Sequence, residues 1–279
     1  MLEDIEKYEL YYSRCSQEYD NLSIEDIRDF MNKYMITDIE KINLRINYMD
    51  RDRIIKLYKL LDYTTEIEGD RNFYCLYNGR WAKFNQNYVD KIKNEIIEIN
   101  KRIEYEPKYD LDLKENEETI QKDYKDMLTY LNSPDLTLNE DTREKLYREF
   151  VYNYNLSKKI NGTLLDRKQF NGIEICDIYA NNELIHTKIG APGEFNECIN
   201  QSIIGMETWN TNKEEIKNKL NIKNVDTVTL LLITQNQKVL KSRDVNEFSS
   251  LRFKLNLIEW YSKVDLIGKK SRVIIAKLK

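Results

Sequence analysis

The sequence has few of the residues that usually mark particular classes of protein. Its 279 residues include three prolines, eight glycines and one histidine. The low proline and glycine content excludes a fibrous or disordered chain. Four cysteines occur without the two-residue spacing of zinc or redox motifs, so we expect reduced thiols. They are Cys15, Cys75, Cys176 and Cys198.

Long apolar runs and phosphate-binding glycine loops are also missing. No run approaches the roughly 18 apolar residues that a transmembrane helix needs, and the N-terminus MLEDIEKYEL is acidic. These two absences predict a cytoplasmic protein without a membrane span or secretory signal. The glycines of GDRN, NGR and APGE occur in turn sequences, so the chain does not resemble an NTPase or a dinucleotide enzyme.

The chain does contain many charged residues, and they are unevenly distributed. Hydrophobic residues make up 41% and charged residues 33%, which is typical of a folded protein. The net charge is −4. Residues 213–279 contain 15 Lys and Arg against 7 Asp and Glu, a net charge of +8, which leaves −12 for residues 1–212. This basic C-terminal third could face nucleic-acid phosphates, or it could be an ordinary solvated surface.

The spacing of apolar residues predicts an α+β fold, with a central mixed sheet flanked by helices and a smaller N-terminal region of helix and β-hairpin. We predict an N-terminal domain at 1–105, an acidic connecting segment at 106–137 and an α/β domain at 138–279. Predicted helices are 27–34, 51–61, 86–103, 116–132, 138–151, 194–209, 212–220 and 248–268. Predicted strands are 42–49, three within 63–85 that include an Asn78-Gly79 turn, and 164–168, 173–180, 183–189, 227–234 and 272–278.

The stretch from Thr163 to Gln201 concentrates polar residues on short apolar strands. The three strands predicted there form a meander through the turn pairs Asn171-Gly172 and Asn181-Asn182. Alternation along 173–180 places Asp177 with aliphatic residues and Glu174 on the opposite face. An aspartate on an aliphatic face is costly unless a cation or a partner compensates it. We therefore expect Asp177 to have a partner.

The facing strand offers His186 and Lys188, which lie two residues apart and therefore on one face. An aspartate on one strand and an x-Lys pair on the next resembles the core of restriction-endonuclease-like nucleases. In that class, an Asp and a (Glu/Asp)-x-Lys motif hold Mg²⁺ and orient the attacking water. The resemblance implies Asp177 as the first carboxylate and Lys188 as the lysine. His186 stands where the second carboxylate is expected.

The same resemblance implies further site residues. Asp166 or Glu174 would supply the missing metal oxygen, since imidazole suits Mn²⁺ better than Mg²⁺. Gln201, on the helix predicted at 194–209, stands where some members of the class place a glutamine against the lysine. The order of helix, three strands, helix and strand also matches this core.

A second resemblance extends over about four fifths of the chain. The segments CLYNGRWAKFNQNYVDKIK, LLDRK, IEICDIYANNELIHTK, VTLLLIT and WYSKVDL resemble the C-terminal portion of a sporadically distributed, uncharacterised bacterial family with usually longer members. Its hairpin reads Glu-x-Cys-Asp and then His-x-Lys, so His186 matches the family. The family continues with Ser-His-Leu-Phe-x-Gln-Gly, from which NECINQS keeps Gln201 but has Glu197 for the histidine and Ser202 for the glycine.

These resemblances imply a metal-dependent nuclease that uses Mg or Mn and acts on DNA or RNA. The scattered distribution of the family implies mobile or defence-island cargo directed against phage, with a homo-oligomer or a defence-system partner protein. The alternative is an inactive nucleic-acid-binding or protein-interaction component, in which Asp177 and Lys188 form a cross-strand salt bridge and His186 forms a hydrogen bond inside the core. A thiol–imidazole centre and a zinc site built on His186 and the cysteines are weaker alternatives.

Overall fold

A computed structural model describes residues 5–19, 22, 24–48, 51–59, 61, 63–66, 72–77, 80–132, 146–248 and 250–279. The chain divides into two units. Unit 1 contains Met1–Lys91 and Ser249–Leu251, and unit 2 contains Ile92–Phe248 and Arg252–Lys279. The domain limits proposed from the sequence, at 105 and 137, stay a prediction.

Unit 1 contains two antiparallel sheets. The first has the strand order β2-β1-β3-β4, and the helix α1 shares its apolar core. The second has the order β5-β6-β7. The elements are β1 (Ile5–Tyr12), β2 (Cys15–Tyr19), α1 (Ile24–Lys33), β3 (Asn43–Tyr48), β4 (Arg51–Lys56), β5 (Tyr63–Glu66), β6 (Asn72–Tyr77) and β7 (Arg80–Asn85).

The three strands predicted within residues 63–85 are confirmed, and the Asn78-Gly79 turn lies outside the described residues. The helix predicted at 51–61 is wrong. Its first half is strand β4, which pairs with β3 from Tyr48↔Arg51 to Asn43↔Lys56. The first hairpin, formed by β1 and β2, was not predicted from the sequence. At 51–56, pairing across a hairpin with the preceding strand overrides the local helical pattern.

The remaining elements carry the mixed sheet and the helices around it. They are α2 (Gln86–Asn100), β8 (Ile103–Glu104), α3 (Leu113–Tyr130), α4 (Arg148–Lys159), β9 (Thr163–Leu164), β10 (Gln169–Phe170), β11 (Ile173–Glu174), β12 (Ile178–Ala180), β13 (Glu183–Ile189), α5 (Pro192–Thr211), α6 (Lys213–Leu220), β14 (Thr227–Thr234), α7 (Gln237–Ser242), α8 (Leu251–Leu266) and β15 (Lys270–Lys277). None of the described helices is both long and apolar enough to span a bilayer.

The central sheet of unit 2 has six strands in the order β8-β15-β14-β13-β12-β9. The first four strands run parallel to one another, whereas β12 is antiparallel to both β13 and β9. The predicted α+β class with a central mixed sheet is confirmed. Along the chain, α4, β9, β12, β13, α5 and β14 follow one another as helix, three strands, helix and strand, with the small β10-β11 hairpin and the short helix α6 inserted.

Helices cover both faces of this sheet. Tyr152 and Leu156 of α4 share an apolar cluster with Ile185 and Ile189 of β13 and with inward residues of β14 and β15. Side chains alternate along a strand, so Leu184 and His186 point to the other face. Helix α5 contacts β13 and β14, and its Ser202 accepts a 3.0 Å hydrogen bond from the Trp260 indole of α8.

The middle of the predicted meander departs from the sequence-based expectation. The run 173–180 is not one strand, because β11 pairs only with β10 and residues 175–177 are irregular before β12 begins. The run 164–168 ends as a strand at Leu164, and Lys168 N–H closes a turn onto the Leu165 carbonyl. The predicted alternation is therefore wrong at this point, and Glu174 and Asp177 do not lie on opposite faces of one strand.

Helix α5 lies against the irregular segment through a glycine. A Cβ atom at Gly205 would overlap the Ile175 carbonyl oxygen and lie 3.2 Å from the Glu174 carbonyl oxygen. A side chain at this position would therefore push the helix and the segment apart. Gly205 sets the close approach that positions residues 174–177.

We expect Gly205→Ala to lower the free energy of unfolding by about 1 to 3 kcal/mol, because the added methyl group overfills this contact. Urea denaturation measures the loss. Gly193→Ala is the matched control, since Gly193 is in the same helix and a Cβ atom there meets nothing within 4 Å. Equal stabilities of the two variants would contradict the close-approach role.

Candidate metal centre

Three carboxylates meet beside the end of strand β12. Oxygen atoms of Asp166, Glu174 and Asp177 all lie within 4.8 Å of one another, so this cluster could hold a metal ion. Asp166 is buried, whereas Glu174 and Asp177 keep partial solvent exposure. We call these three residues the carboxylate cluster. They are the three metal ligands that the sequence suggested.

Backbone hydrogen bonds bring the three residues together. The N–H groups of Leu165 and Asp166 both donate to the Asp177 carbonyl, at 2.7 and 2.9 Å. The Arg167 N–H donates to the Glu174 carboxylate. The turn after β9 thus bonds to the segment between β11 and β12. These turn hydrogen bonds take the place of the strand-to-strand hydrogen bonds of the predicted meander.

Side chains of α3, of α4 and of the residue before α4 hold Asp166 in place. Its two carboxylate oxygens accept hydrogen bonds from the Asn153 amide, at 2.8 Å, and from the Tyr147 hydroxyl, at 3.2 Å. The Tyr130 hydroxyl donates to the Asp166 carbonyl at 2.9 Å. Such outer contacts fix the orientation of a ligating carboxylate.

Burial and mutual repulsion disfavour the charged forms of these acids. Burial, with the nearby Asp166 charge, raises the pKa of Glu174 to about 7. Burial and the charges of Asp166 and Glu174 also raise the pKa of Asp177 well above its usual range. The pKa of Asp166 is raised by burial, although its bond from Asn153 opposes the rise. A bound cation would relieve this repulsion.

A fourth carboxylate, Glu149, lies at the edge of β13 that β12 leaves uncovered. Asp177 accepts a 2.7 Å bond from the Thr187 N–H, and Glu149 accepts a 3.2 Å bond from the Ile189 N–H. The two acids thus satisfy backbone donors that a longer β12 would have paired. The charge of Asp166 contributes to the raised pKa of Glu149, whose main cause is burial.

Lys188 pairs with Glu149, not with Asp177. Its Nζ lies 3.3 Å from Oε1 of Glu149, and both side chains are only 16% exposed. The prediction of a cross-strand salt bridge between Asp177 and Lys188, made for an inactive protein, is therefore wrong. Burial opposes the charge of Lys188, but Glu149, Cys198 and Glu197 together outweigh it and raise the lysine pKa. The Lys188 charge also opposes the rise in the pKa of Asp166, so it acts on the carboxylate cluster.

His186 lies apart from the carboxylate cluster. It is 3% exposed, and its Nε2 has no hydrogen-bond partner among the described residues. Burial lowers the pKa of its imidazole from 6.5 to about 3. The ring is therefore neutral at physiological pH, on the sheet face opposite to α4.

We expect His186→Leu to remove part of the acid sensitivity of the fold. The folded-state pKa is depressed, so between pH 6.5 and about 3 only the unfolded state binds this proton, and acidification favours unfolding. The wild type should lose about 2 kcal/mol relative to His186→Leu between pH 6.5 and about pH 5. Urea denaturation at both pH values checks this. Parallel losses in the two proteins would contradict a neutral, buried imidazole.

The other suggested residues lie elsewhere. Gln201, which the nuclease resemblance places against the lysine, is exposed on α5. The side chains of that helix that raise the pKa of Lys188 are Cys198 and Glu197. Burial raises the pKa of both Cys176 and Cys198, which does not suit a nucleophilic thiolate. All four cysteines are free.

Sequence reasoning missed Glu149, Tyr147 and Asn153. Glu149 and Asn153 lie four residues apart on helix α4, beside its apolar residues Phe150, Val151 and Tyr152, and this i, i+4 spacing of polar residues was the available signal. Their contacts with β13 and with the turn after β9 connect residues that are 13 to 40 positions apart in the sequence. Local patterns do not encode such contacts.

One comparison with known proteins gives a family. Residues 1–257 match the model of DUF6119, a family of unknown function. The chain belongs to this family. No curated protein and no solved structure matches the chain. The carboxylate cluster of this DUF6119 protein therefore has to be interpreted from its own geometry.

Proposed function

We propose that this DUF6119 protein is a metal-dependent nuclease acting on DNA or RNA. The single observation that carries the proposal is the carboxylate cluster, in which three acids with raised pKa values converge within 4.8 Å while two of them stay accessible to solvent. Repelling acids are costly to fold, so a bound cation gives their arrangement a physical reason.

The chemistry of the cluster suits Mg²⁺ or Mn²⁺. All three donors are carboxylate oxygens, the hard ligands that these ions prefer, and neither an imidazole nor a thiolate belongs to the cluster. Either ion, when bound, would polarise a phosphodiester oxygen and lower the pKa of a bound water. Asn153 and Tyr147 would keep Asp166 aimed at the ion.

Lys188 is the cation we assign to the reaction. It lies on β13, the strand that donates the Thr187 N–H to Asp177, and its charge acts on Asp166. An ammonium group at that position would stabilise the negative charge that develops on the phosphate. Glu149 holds the Lys188 side chain by the 3.3 Å ion pair and would orient it, which makes Glu149 a positioning residue.

The order and pairing of the elements support the same proposal. A helix, three antiparallel strands, a helix and a further parallel strand resemble the restriction-endonuclease-like core, with acids and a lysine at the ends of its central strands. The hairpin resembles that of a family with a scattered distribution. A role in defence against phage or mobile elements, and a defence-system partner, rest on this resemblance.

A second candidate is an inactive nucleic-acid-binding component. Buried His186, which stands in place of the second carboxylate of the nuclease motif, favours it. So does Glu197, which replaces the histidine of the family helix and lies close enough to influence Lys188. In this candidate lysines of the basic segment 213–279 contact phosphates, and no bond is cleaved.

A cleavage assay on single- and double-stranded DNA and RNA tests the proposal. The wild type should cleave at least one substrate with Mn²⁺ or Mg²⁺ and none with EDTA, and Asp177→Ala should not cleave. Calorimetry should detect Mn²⁺ binding to the wild type only. Absence of both cleavage and Mn²⁺ binding would contradict the nuclease, and Mn²⁺-independent oligonucleotide binding without cleavage would favour the second candidate.

A further inference from the structure

The turn that carries Asp166 presents two cations to solvent. Arg167 and Lys168 are both exposed, and each rests on an aromatic ring. The Arg167 guanidinium lies 4.5 Å from the Tyr147 ring centroid, and the Lys168 Nζ lies 4.6 Å from that of Tyr130. These are the two tyrosines that also bond Asp166. The same aromatic frame therefore fixes a metal-binding acid and its neighbouring cations.

Arg167 has an unusual backbone. Its φ is +64°, a left-handed conformation that costs a non-glycine residue about 1 kcal/mol or more. In a turn closed by the Lys168 N–H and the Leu165 carbonyl, glycine would be the less strained residue. The conformation directs the Arg167 N–H to the Glu174 carboxylate and leaves the side chain on the outer surface.

The Arg167 guanidinium acts on the carboxylate cluster without neutralising any member of it. Its charge contributes to lowering the pKa values of Asp166 and Glu174, but in the part of the chain that the structure describes it forms no ion pair. Apart from a side-chain hydrogen bond with Tyr147, its donors stay available to a ligand. A planar guanidinium that is held against a ring loses little freedom when it binds a phosphate through two parallel hydrogen bonds.

An acidic cluster by itself repels a polyanionic strand. A phosphodiester can approach it only where cations offset that repulsion. Arg167, whose charge acts on Asp166 and Glu174, directly follows Asp166 in the chain, and Lys168 comes next. We propose that Arg167, assisted by Lys168, binds a backbone phosphate of a nucleic-acid strand at the entrance to the carboxylate cluster. This inference rests on the proposed function, and it identifies the contact that holds the substrate.

Arg243 provides a matched comparison within the same chain. It also has a left-handed backbone, with a φ of +56°, and its guanidinium lies 5.6 Å from the Tyr105 ring centroid. Its conformation has a local reason, because its N–H caps α7 on the Val239 carbonyl. Arg243 is not near the carboxylate cluster in the sequence and does not act on the pKa values of its members. Arg243→Ala is therefore a control for removing an arginine that has a left-handed backbone and rests on a tyrosine ring.

The test measures binding of labelled single- and double-stranded DNA and RNA oligonucleotides by fluorescence anisotropy, with Ca²⁺ in place of Mn²⁺. Arg167→Ala and Arg167→Gly should weaken binding roughly 10-fold or more, and Lys168→Ala a few-fold, while Arg243→Ala should bind like the wild type. The slope of log affinity against log salt concentration should fall by about one for each cation removed.

Two further measurements separate a phosphate contact from a structural role. Arg167→Gly relieves the backbone strain, so its melting temperature should stay within about 4 °C of the wild type while binding is lost. Mn²⁺ titration should give wild-type or tighter affinity in Arg167→Ala, because a cation near the acids has been removed.

The inference is overturned if Arg167→Gly binds oligonucleotides as Arg243→Ala does, or if the wild type binds Mn²⁺ but no oligonucleotide. A wild type that binds oligonucleotides through Arg167 but does not bind Mn²⁺ would instead overturn the nuclease and keep the phosphate contact.

Discussion

Asp177→Asn is expected to abolish metal-dependent cleavage while making the metal-free protein more stable. Asp177 belongs to the carboxylate cluster, and its pKa is raised by burial and by the charges of Asp166 and Glu174. Loss of one metal ligand removes several kcal/mol of charge stabilisation in the transition state, so we expect cleavage to fall at least about 1,000-fold.

The gain in stability follows from the sign of the pKa shift. A carboxyl group whose folded-state pKa is raised binds more protons in the folded than in the unfolded state, so the metal-free fold loses stability as pH rises through that window. Asparagine carries no charge and keeps an oxygen to accept the Thr187 N–H bond. We expect a gain of about 1 to 2 kcal/mol at pH 8.

Urea denaturation with and without Mn²⁺ measures both consequences. The wild type should be stabilised by Mn²⁺, and Asp177→Asn should not be. Asp29→Asn, at an aspartate whose side chain is 75% exposed, is the control and should change neither stability nor cleavage. Retained cleavage, or retained stabilisation by Mn²⁺, in Asp177→Asn would show that the cluster is not the metal centre.

Lys188→Ala is expected to lower stability and to abolish cleavage, for two separable reasons. Stability falls because Glu149, 16% exposed and paired at 3.3 Å, would be left buried without its cation, a change worth about 3 kcal/mol. Cleavage falls because no ammonium group would remain to stabilise the phosphate charge.

A double variant separates the two effects. Adding Glu149→Gln to Lys188→Ala removes the uncompensated carboxylate and should recover most of the stability, since the amide nitrogen is uncharged and its oxygen can still accept the Ile189 N–H. Cleavage should stay absent. A stable double variant that cleaves nucleic acid would rule out a catalytic Lys188.

Lys158→Ala is the matched control for the single substitution. Lys158 also pairs with an acid, Asp123, at 2.8 Å, but its side chain is 53% exposed. Solvent screens such a pair, so the change should cost less than about 1 kcal/mol and leave cleavage intact. A loss equal to that of Lys188→Ala would argue against the special position of the Glu149 pair.

Much of the fold followed from local patterns. The strand at Thr227–Thr234 was predicted to the residue, because it is an apolar, β-branched run buried on both faces. The 194–209 helix was predicted within two residues at each end. The helix predicted at 51–61 was wrong because the apolar spacing there suits a helix, whereas pairing with β3 makes the first half of this segment a strand.

Asp177 was found from the sequence for a chemical reason, because a charge among aliphatic residues needs a partner. Asp166 and Glu174 followed from the resemblance to the nuclease core. Their arrangement was not found. The predicted alternation separated Glu174 from Asp177, whereas the interruption between β11 and β12 and the approach of α5 at Gly205 put them together. Interruptions of this kind depend on contacts with a helix 30 residues away along the chain.

The sequence by itself determined the class of fold, the long apolar strands, the scarcity of histidine and glycine, and the acids and lysine available for chemistry. All of these depend on composition or on a local period. Tertiary structure decided which of those groups meet. Glu149 pairs with Lys188, and three carboxylates converge. His186 is buried, and its Nε2 has no hydrogen-bond partner among the described residues. The physical reason is that hydrogen bonds from α4 and from the turn after β9 select partners by distance in space, which a local period cannot specify.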